Sequence, residues 1–533
     1  PIPPPPECLD MQSDSLLSSA TFGTDLEHIG VEAVVLLPTD GAIATFASFS
    51  SQSTSGEGVG TWDLCLDDSI SSQPIQRYMS GTNDLGLVSL VNVFENQAAG
   101  FHSVRLRHAT SDVLKTIVTR DVDLVAFPLA TETGADFNDA VAVLGSGGED
   151  TASASLTAIS GLSTTILLDV PARVYVSSAL NAASVDDAPK TGAWDIQVDG
   201  VTVGWGVSRY LSGSDDLGAV VLEGLTNELP AGIYPVTVRH ATDSGILKTL
   251  NATLCAIALS DDGGGGVFIP ASTKASPTAA STSSETMVDI PAGTLSLTID
   301  VVSKIFFASS FNVLSDGGDD PRIVELDATM DGGAFTKEVD RFLSGANDIG
   351  SGGIFGLSDF LGIGSHTSIL RHATHPATPT PPPPGPIQTK NITAFMMSGC
   401  TAPISPTPTP IDCDTAILDL GVKTAKGGEE IKLFGCLPAF GNRLVDVYLL
   451  AVSPNGVVYS IVYPGRVAKG LVPYIKRYFN PDRCTCDNLF AYIICENPKP
   501  GKWRVVLAAL PAGAKPELKN VITFAVQTVT VSP

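Results

Sequence analysis

The chain has 533 residues, of which 44% are hydrophobic and 16% are charged, a balance typical of folded globular domains. Its 56 acidic residues outnumber the 31 lysines and arginines and give a formal charge of −25. This charge disfavours nucleic acid and anionic membrane surfaces as partners, and no apolar run is long enough to predict a membrane span.

The first element in chain order is a Pro-rich tail, residues 1–16, which opens with PIPPPPECLD. Because the sequence begins at Pro1, we predict that a signal peptide has been removed and that the mature chain is extracellular. A stiff polyproline tail is well suited to reach across an interface to a neighbouring subunit.

One motif of ten residues then occurs three times: RYMSGTNDLG from Arg77, RYLSGSDDLG from Arg209 and RFLSGANDIG from Arg341. Arg209 follows Arg77 by 132 residues (209 minus 77), and Arg341 follows Arg209 by the same interval. The tetrapeptide RHAT, from Arg107, Arg239 and Arg371, keeps this spacing too. Such a fixed register over three copies predicts a tandem duplication of one domain.

Each copy alternates apolar and polar residues with period two, and turns rich in Gly and Pro separate the short apolar runs. We therefore predict an all-β chain of tandem antiparallel β-sandwich, jelly-roll-like domains. The predicted domains are residues 17–142, 150–262 and 282–402, the third with a Pro-rich insertion. The Gly- and Ser-rich stretches 143–153 and 261–284 are predicted to be linkers.

Residues 411–533 match none of the repeats and are predicted to form a distinct Cys-rich β-sandwich. This prediction rests on two segments with a strand–turn–strand pattern, VDVYLLAVSPNGVVYSIVYPG and KWRVVLAALPAGAK. Through the PNG turn and the PGKW and LPAG phrases, this last quarter resembles the C-terminal β modules of exported bacterial surface proteins.

The repeated polar residues allow two interpretations. In the first, Asp84, Asp216 and Asp348 are oxygen ligands for Ca²⁺ in a flexible Gly-containing loop, although one such loop supplies too few ligands. In the second, each Asp caps its own turn and pairs with an arginine. The repeated structural set comprises Arg77, Arg107, His108, Arg209, Arg239, His240, Arg341, Arg371 and His372.

The sequence has none of the common nucleophile-elbow, metalloprotease, phosphate-loop or dinucleotide motifs. We therefore predict that the chain is not an enzyme and that it requires no cofactor beyond a possible Ca²⁺. The histidine before RHAT is His102 in the first copy and Tyr234 in the second, an exchange that favours a structural role over metal ligation.

Cysteine usage favours an oxidising compartment. Nine residues are disulfide candidates: Cys8, Cys65, Cys255, Cys400, Cys413, Cys436, Cys484, Cys486 and Cys495. The spacing of the C-terminal six is a poor match to zinc knuckles, and fifteen pairings of those six are possible. Asn251 and Asn391 each begin an N-x-T sequon and are candidate glycosylation sites.

Together these features predict a structural glycoprotein subunit of an extracellular filament or cell-surface layer. The sandwiches are expected to stack along the chain, and terminal segments to lock one subunit to the next as a homopolymer. The alternative is a monomeric surface adhesin with a repeat stalk and a terminal domain that binds glycan or protein. A filament predicts regular self-assembly, whereas an adhesin predicts a soluble monomer with a ligand pocket.

Overall fold

The computed structural model describes residues 11–21, 23–37, 40–82, 84–130, 140–145, 148–214, 216–260, 271–299, 302–316, 320–345, 348–376, 386–399, 417–419, 424–426, 430–437, 444–454, 458–462, 466–469, 475–479, 485–493, 501–512, 514–515 and 522–532. Every regular element in these ranges is a β-strand, and this confirms the predicted all-β class. Among these residues there is no helix that is both long and apolar enough to cross a bilayer. The chain forms two compact units, residues 1–404 and 405–533.

The N-terminal unit contains three pairs of sheets that repeat one strand order. The first pair uses β1 (Gln12–Thr21), β2 (Glu27–Leu37), β3 (Gly41–Ser53), β4 (Gly58–Leu66), β5 (Ile70–Ser71), β6 (Ile75–Met79), β7 (Gly86–Gln97), β8 (Gly100–Thr110) and β9 (Ile117–Ala130). The second uses β10 (Ala140–Gly145), β11 (Glu149–Thr151), β12 (Thr157–Leu168), β13 (Ala172–Ser184), β14 (Lys190–Val198), β15 (Val201–Leu211), β16 (Leu217–Leu225), β17 (Gly232–Thr242) and β18 (Leu247–Ser260). The third uses β19 (Ala271–Ser276), β20 (Ala280–Thr282), β21 (Val288–Ile299), β22 (Ile305–Ser315), β23 (Arg322–Met330), β24 (Gly333–Ala334), β25 (Val339–Leu343), β26 (Ile349–Leu357), β27 (Gly364–Pro376) and β28 (Ile387–Ser398).

One sheet of each pair, here called the inner sheet, has the order β1-β9-β3-β7, β10-β18-β13-β16 or β19-β28-β22-β26. The other, the outer sheet, is built on β2-β8-β4, β12-β17-β14-β15 or β21-β27-β23. All these pairings are antiparallel, and the order is that of a jelly roll, a sandwich of two Greek keys. The predicted tandem β-sandwich architecture is therefore confirmed, and the pairs are called the first, second and third jelly rolls.

Burial distinguishes inner from outer strands. The outer strand β2 alternates buried and accessible residues, the pattern of a sheet with one solvated face. Twelve of the thirteen residues of the inner strand β3 are buried, and β13 and β22 are similar. Each inner sheet therefore has one face in its own sandwich and a second face covered by other parts of the unit.

The predicted linkers are wrong, because both contain edge strands of the following jelly roll. β10 and β11 pair with β18, and β19 and β20 pair with β28. Small and polar residues are sufficient in β11, β19 and β20 because an edge strand is held by backbone hydrogen bonds along one side. In the same way β1 begins at Gln12, inside the segment predicted as a tail, and pairs with β9. The Pro-rich insertion, residues 377–385, lies outside the described residues.

The C-terminal unit contains β29 (Ile417–Asp419), β30 (Thr424–Lys426), β31 (Glu430–Leu437), β32 (Leu444–Val452), β33 (Val458–Val462), β34 (Arg466–Lys469), β35 (Ile475–Phe479), β36 (Thr485–Ile493), β37 (Gly501–Pro511) and β38 (Thr523–Ser532). One sheet has the order β29-β31-β36, and the other β30-β38-β37-β32-β33-β34, with β35 on β32. Tyr448, Ala508 and Leu510 are buried together between β32 and β37.

Candidate functional site

The ten-residue motif forms a turn closed by a buried ion pair. Arg77 pairs with Asp84, whose Oδ2 also accepts the Ser80 N–H at 2.8 Å and the Ser80 hydroxyl at 3.0 Å. The same arrangement joins Arg209 to Asp216 at 3.3 Å and Arg341 to Asp348 at 3.5 Å. Burial pushes the pKa of Asp84 upward, but Arg77 and Ser80 together hold it below its ordinary value.

This ion pair disfavours the calcium interpretation of Asp84, Asp216 and Asp348. A guanidinium lies against each carboxylate and would repel a divalent cation, and serine donors occupy the remaining oxygen. The neighbouring loop residues 83, 215 and 346–347 lie outside the described residues.

The glycine that ends each motif provides space for the arginine. A Cβ on Gly86 would lie 1.9 Å from Arg77 Nε, and one on Gly350 would lie 1.6 Å from Arg341 Nε. The three guanidiniums are also close enough to influence one another. Burial and then the charges of Arg209 and Arg77 lower the pKa of Arg341 to about 10.

We therefore expect Gly86→Ala to destabilise the N-terminal unit by about 1–3 kcal/mol, since the added methyl displaces a buried guanidinium. Gly81→Ala in the same motif is the matched control, because a Cβ there meets no atom within 4 Å. Urea unfolding midpoints measure both variants. Equal midpoints would show that Arg77 has no fixed position against Gly86.

The RHAT arginines form a second repeated set of ion pairs, now between strands of the outer sheet. Arg107 Nε donates to Asp63 at 2.9 Å, and the Arg239–Asp195 and Arg371–Asp327 pairs repeat this distance. Because Nε and Nη2 of each arginine donate to the two oxygens of one carboxylate, each pair fixes the register of its two strands.

The RHAT histidines are buried hydrogen-bonding groups. Nδ1 of His108 lies 2.9 Å from Thr119 Oγ1, which also accepts the Trp62 indole N–H at 2.8 Å. His240 and His372 contact Thr249 and Thr389 in the same way. Burial lowers the pKa of His108 and His372 to about 4 and also lowers that of His240, so these rings are neutral at physiological pH.

The exchange of histidine for tyrosine before RHAT preserves one hydrogen bond. Nε2 of His102 lies 2.7 Å from the Ala98 carbonyl, four residues earlier. The Tyr234 hydroxyl donates to the Pro230 carbonyl at the same distance and spacing. These side chains therefore hold a turn, as the structural interpretation expects.

The three jelly rolls contact one another in a cycle through equivalent strands; each contact is called a seam. Asn181 of the second roll donates to the Gln76 carbonyl of the first at 2.5 Å and accepts its N–H at 2.9 Å. Asn312 of the third roll makes the same pair of bonds to Ser208 of the second, at 2.5 and 3.1 Å. Ser50 of the first roll accepts the Asp340 N–H of the third at 2.6 Å, which completes the cycle.

A shared aromatic core lies where the inner sheets meet. Phe306 of the third roll contacts Phe46 of the first at 4.8 Å and Tyr175 of the second at 6.5 Å between ring centroids. Phe127 and Phe395 lie 5.3 and 6.3 Å from the same ring. The predicted stacking of sandwiches along the chain is therefore wrong for this unit, since all three rolls contribute to one hydrophobic cluster.

One fully buried acid interrupts this apolar centre. Glu223 accepts hydrogen bonds from the Tyr175 hydroxyl at 2.5 Å and the Ser177 hydroxyl at 2.7 Å. Burial raises its pKa to about 8, against these two hydrogen bonds. No sequence pattern indicated this group, because Glu223 belongs to an otherwise apolar strand whose second face could not be foreseen.

Both sequons lie at a β-bulge beside a seam. Asn251 and Asn391 have φ values of 44° and 52°, and Asp121 occupies the equivalent position with φ 52°. Asn and Asp tolerate this left-handed geometry better than other side chains. The Asn391 amide donates at 3.4 Å to Asn312 Oδ1, the atom that also accepts the Ser208 N–H across a seam. Asn251 occupies the same half-buried bulge, and glycosylation of the two residues stays a prediction.

Two of the nine disulfide candidates are free thiols. Cys65 and Cys255 are both buried and unpaired, and burial raises the pKa of each. The disulfide prediction is therefore wrong for these two, because each is enclosed in packed sheet. Cys8, Cys400, Cys413, Cys484 and Cys495 lie outside the described residues.

Cys436 and Cys486 are direct Cα partners in the antiparallel pair β31–β36. Directly opposed residues have Cα atoms about 4.5–5.5 Å apart, within the range of about 4.4–6.8 Å that a disulfide spans. We expect a disulfide between them, visible as one linked peptide in non-reducing mass spectrometry. A peptide joining Cys436 to Cys484 would contradict this register.

Three carboxylates in the third roll lie within 4.8 Å of one another, those of Glu325, Glu338 and Asp340. His375 Nε2 lies 2.7 Å from Glu325 Oε2. Burial raises the pKa of Glu325 to about 8 and that of Asp340 to about 7, and neighbouring acids add to both shifts. We interpret the group as carboxyls that share protons and not as a metal site.

No protein-family model and no curated protein sequence matches the chain. Among solved structures, the sporulation control protein Spo0M from Bacillus subtilis is 13% identical, with 23% of this chain and 51% of that chain covered and a TM-score of 0.15. The tandem CBM22 domains of Paenibacillus barcinonensis Xyn10C are 11% identical, with 50% and 99% covered and a TM-score of 0.15. The chain thus spans about half the length of Spo0M. TM-scores of 0.15 support no inference about function.

Proposed function

We propose that the chain is a non-catalytic structural subunit of an extracellular filament or surface layer, in which the three jelly rolls form one preassembled block. The observation that carries this proposal is the cycle of equivalent seams from Asn181 to Gln76, Asn312 to Ser208, and Ser50 to Asp340. A cyclic set of heterologous contacts closes on itself and does not propagate.

Closure determines where assembly contacts can lie. In the predicted linear stack, each sandwich would offer one end to the next subunit. In a closed cycle these faces are used within the chain, which supports contacts between subunits through the terminal segments and the C-terminal unit. This supports the expectation of a homopolymer joined through its ends.

The start of the described chain is anchored to the block. Met11 is 1% exposed, and its carbonyl accepts a hydrogen bond from Lys304 Nζ at 2.8 Å. A Cβ on Gly399 would lie 2.8 Å from Met11 Sδ. Met11 is therefore held at a fixed point against the third jelly roll, which suits our proposal that the Pro-rich segment is donated to a neighbouring subunit.

Electron microscopy of the purified full chain, beside a variant lacking residues 1–10, tests this function. The deletion stops before Met11 and so leaves β1 and its pairing with β9 intact. We expect regular assemblies from the full chain and isolated particles from the variant. Isolated particles in both samples would overturn the proposal and favour the monomeric adhesin.

A further inference from the structure

One of the three seams differs from the others in how the chain crosses it. The polypeptide runs from β9 to β10 and from β18 to β19, so consecutive jelly rolls are covalently tethered at the first two seams. The third seam joins the first roll to the third, and it is called the closing seam. Only non-covalent contacts between β1–β9 and β19–β28 hold it together within the described residues, so this seam can separate without unfolding a linker.

The closing seam is also acidic. Asp340 of β25 donates its backbone N–H to Ser50, and the Lys337 N–H two residues before β25 donates to Asp123 Oδ2 at 2.5 Å. The acids that face this seam are Asp121 and Asp123 on β9, Glu325 on β23, and Glu338 and Asp340 at the start of β25. The facing bases are Arg120 on β9, Lys337 before β25 and His375 on β27, while Asp327 on β23 is paired with Arg371.

The positions equivalent to Glu338, Asp340 and Asp123 at the other two seams carry no charge. Glu338 corresponds to Pro74 and Gly206, and Asp340 to Gln76 and Ser208. Asp123 corresponds to Thr253 and Thr393, and Thr393 Oγ1 accepts the Trp205 N–H at 2.9 Å, as Asp123 accepts that of Lys337. The backbone contact is thus kept while acids are concentrated at the one seam without a tether.

We propose that the closing seam is a proton-dependent latch, closed while its clustered carboxyls share protons and released when they ionise together. Five acids face two permanent cations and one histidine, so full ionisation leaves unbalanced negative charge in a partly buried space. The tethered seams have no such cluster: Glu223, whose backbone N–H donates to Ser310 of the third roll at 3.2 Å, is a single carboxyl.

The direction of the pH effect follows from the carboxyl shifts. Burial raises the pKa of Asp123 and of Asp340 to about 7, and neighbouring acids add to both shifts. In the open form these groups return toward ordinary carboxyl values of about 4. The closed form therefore binds more protons, and its advantage is lost as the pH rises from the ordinary carboxyl range through about 7 to 8.

Hydrogen exchange of the full chain, read by mass spectrometry and normalised to intrinsic rates, tests the latch. Between about pH 6 and about pH 9, protection of β25 amides should fall by about tenfold or more. Peptides from β15, the equivalent strand at a tethered seam, are the internal control and should lose less protection than β25.

The double variant Glu338→Gln and Asp340→Asn should weaken the pH dependence of β25 protection, since two of the five clustered carboxyls no longer ionise and the Asp340 backbone donor is retained. The single variant Asp340→Asn provides the same test with a smaller expected effect if the double variant folds poorly. Unchanged protection of β25 in the wild-type chain at the higher pH would overturn the proposal. An equal loss at β15 and β25 would overturn it too, because it would show general loosening. Neither outcome bears on whether the chain assembles through its ends.

Discussion

Replacing Phe306 with alanine is expected to lower the free energy of unfolding of the N-terminal unit by about 3–5 kcal/mol. The ring is fully buried and contacts aromatic side chains from all three jelly rolls. Its removal leaves a cavity at the one place where the inner sheets meet. Neighbouring domains cannot collapse onto such a cavity without shifting the seams around it.

Urea unfolding measures this loss, and calorimetry shows whether the three rolls still unfold together. Phe360→Ala is the matched control, because that ring is 66% exposed and contacts Lys304 Nζ at 5.3 Å from the ring centroid. We expect the control to cost about 0.5–1 kcal/mol. Equal effects of the two variants would mean that the rolls are stabilised separately and that the shared core contributes little.

The second large effect concerns Glu223, whose carboxyl is fully buried with a pKa of about 8. The unfolded chain returns it to the ordinary value of about 4.3. Below that value both states are protonated, and this group leaves stability unchanged. As the pH rises toward about 8, the unfolded state ionises while the folded state keeps its proton, so stability falls.

Glu223→Gln should abolish this part of the pH dependence. At about pH 5 the variant is expected to be slightly less stable, by about 1 kcal/mol, since one amide hydrogen lacks the partner that the carboxyl has. At about pH 8 it should be more stable than the wild type by a few kcal/mol, because each unit of pKa shift is worth about 1.4 kcal/mol. The two stability curves should therefore cross.

Unfolding free energies of the wild type and of Glu223→Gln, measured across this pH range, test whether the curves cross. The exposed Glu228→Gln is the control. Asp123, Asp340 and Glu325 also have raised pKa values, but they contribute equally to both curves. Parallel curves for Glu223→Gln and the wild type would show that this carboxyl is ionised in the fold.

Much of each jelly roll could be predicted from the sequence, because its causes are local. Alternation along the RHAT strands identified outer-sheet strands, and the spacing of the ten-residue motif identified the repeat. The Arg–Asp turn was available as an interpretation because both residues lie within one motif. The edge strands β11 and β19 were missed because their small and polar residues resemble linkers.

The cyclic packing was not predictable because its contacts join residues far apart in the chain. Asn181 and Gln76 are separated by 105 residues, and Ser50 and Asp340 by 290. The fully buried pattern of β3 gives no indication of what covers its second face. The sequon residues Asn251 and Asn391 also satisfy a backbone geometry that the sequence did not indicate, since both have positive φ at a bulge.

Covalent fusion of the three copies has a consequence for how this interface can evolve. In a trimer of identical subunits, every substitution at an interface appears three times, so an unfavourable group is multiplied around the axis. Here each position is encoded separately. The chain can therefore hold a single buried Glu223 and a single acidic seam, whereas the two equivalent sites remain aromatic or neutral. After duplication the three copies can therefore differ at equivalent interface positions, which identical subunits of a trimer cannot do.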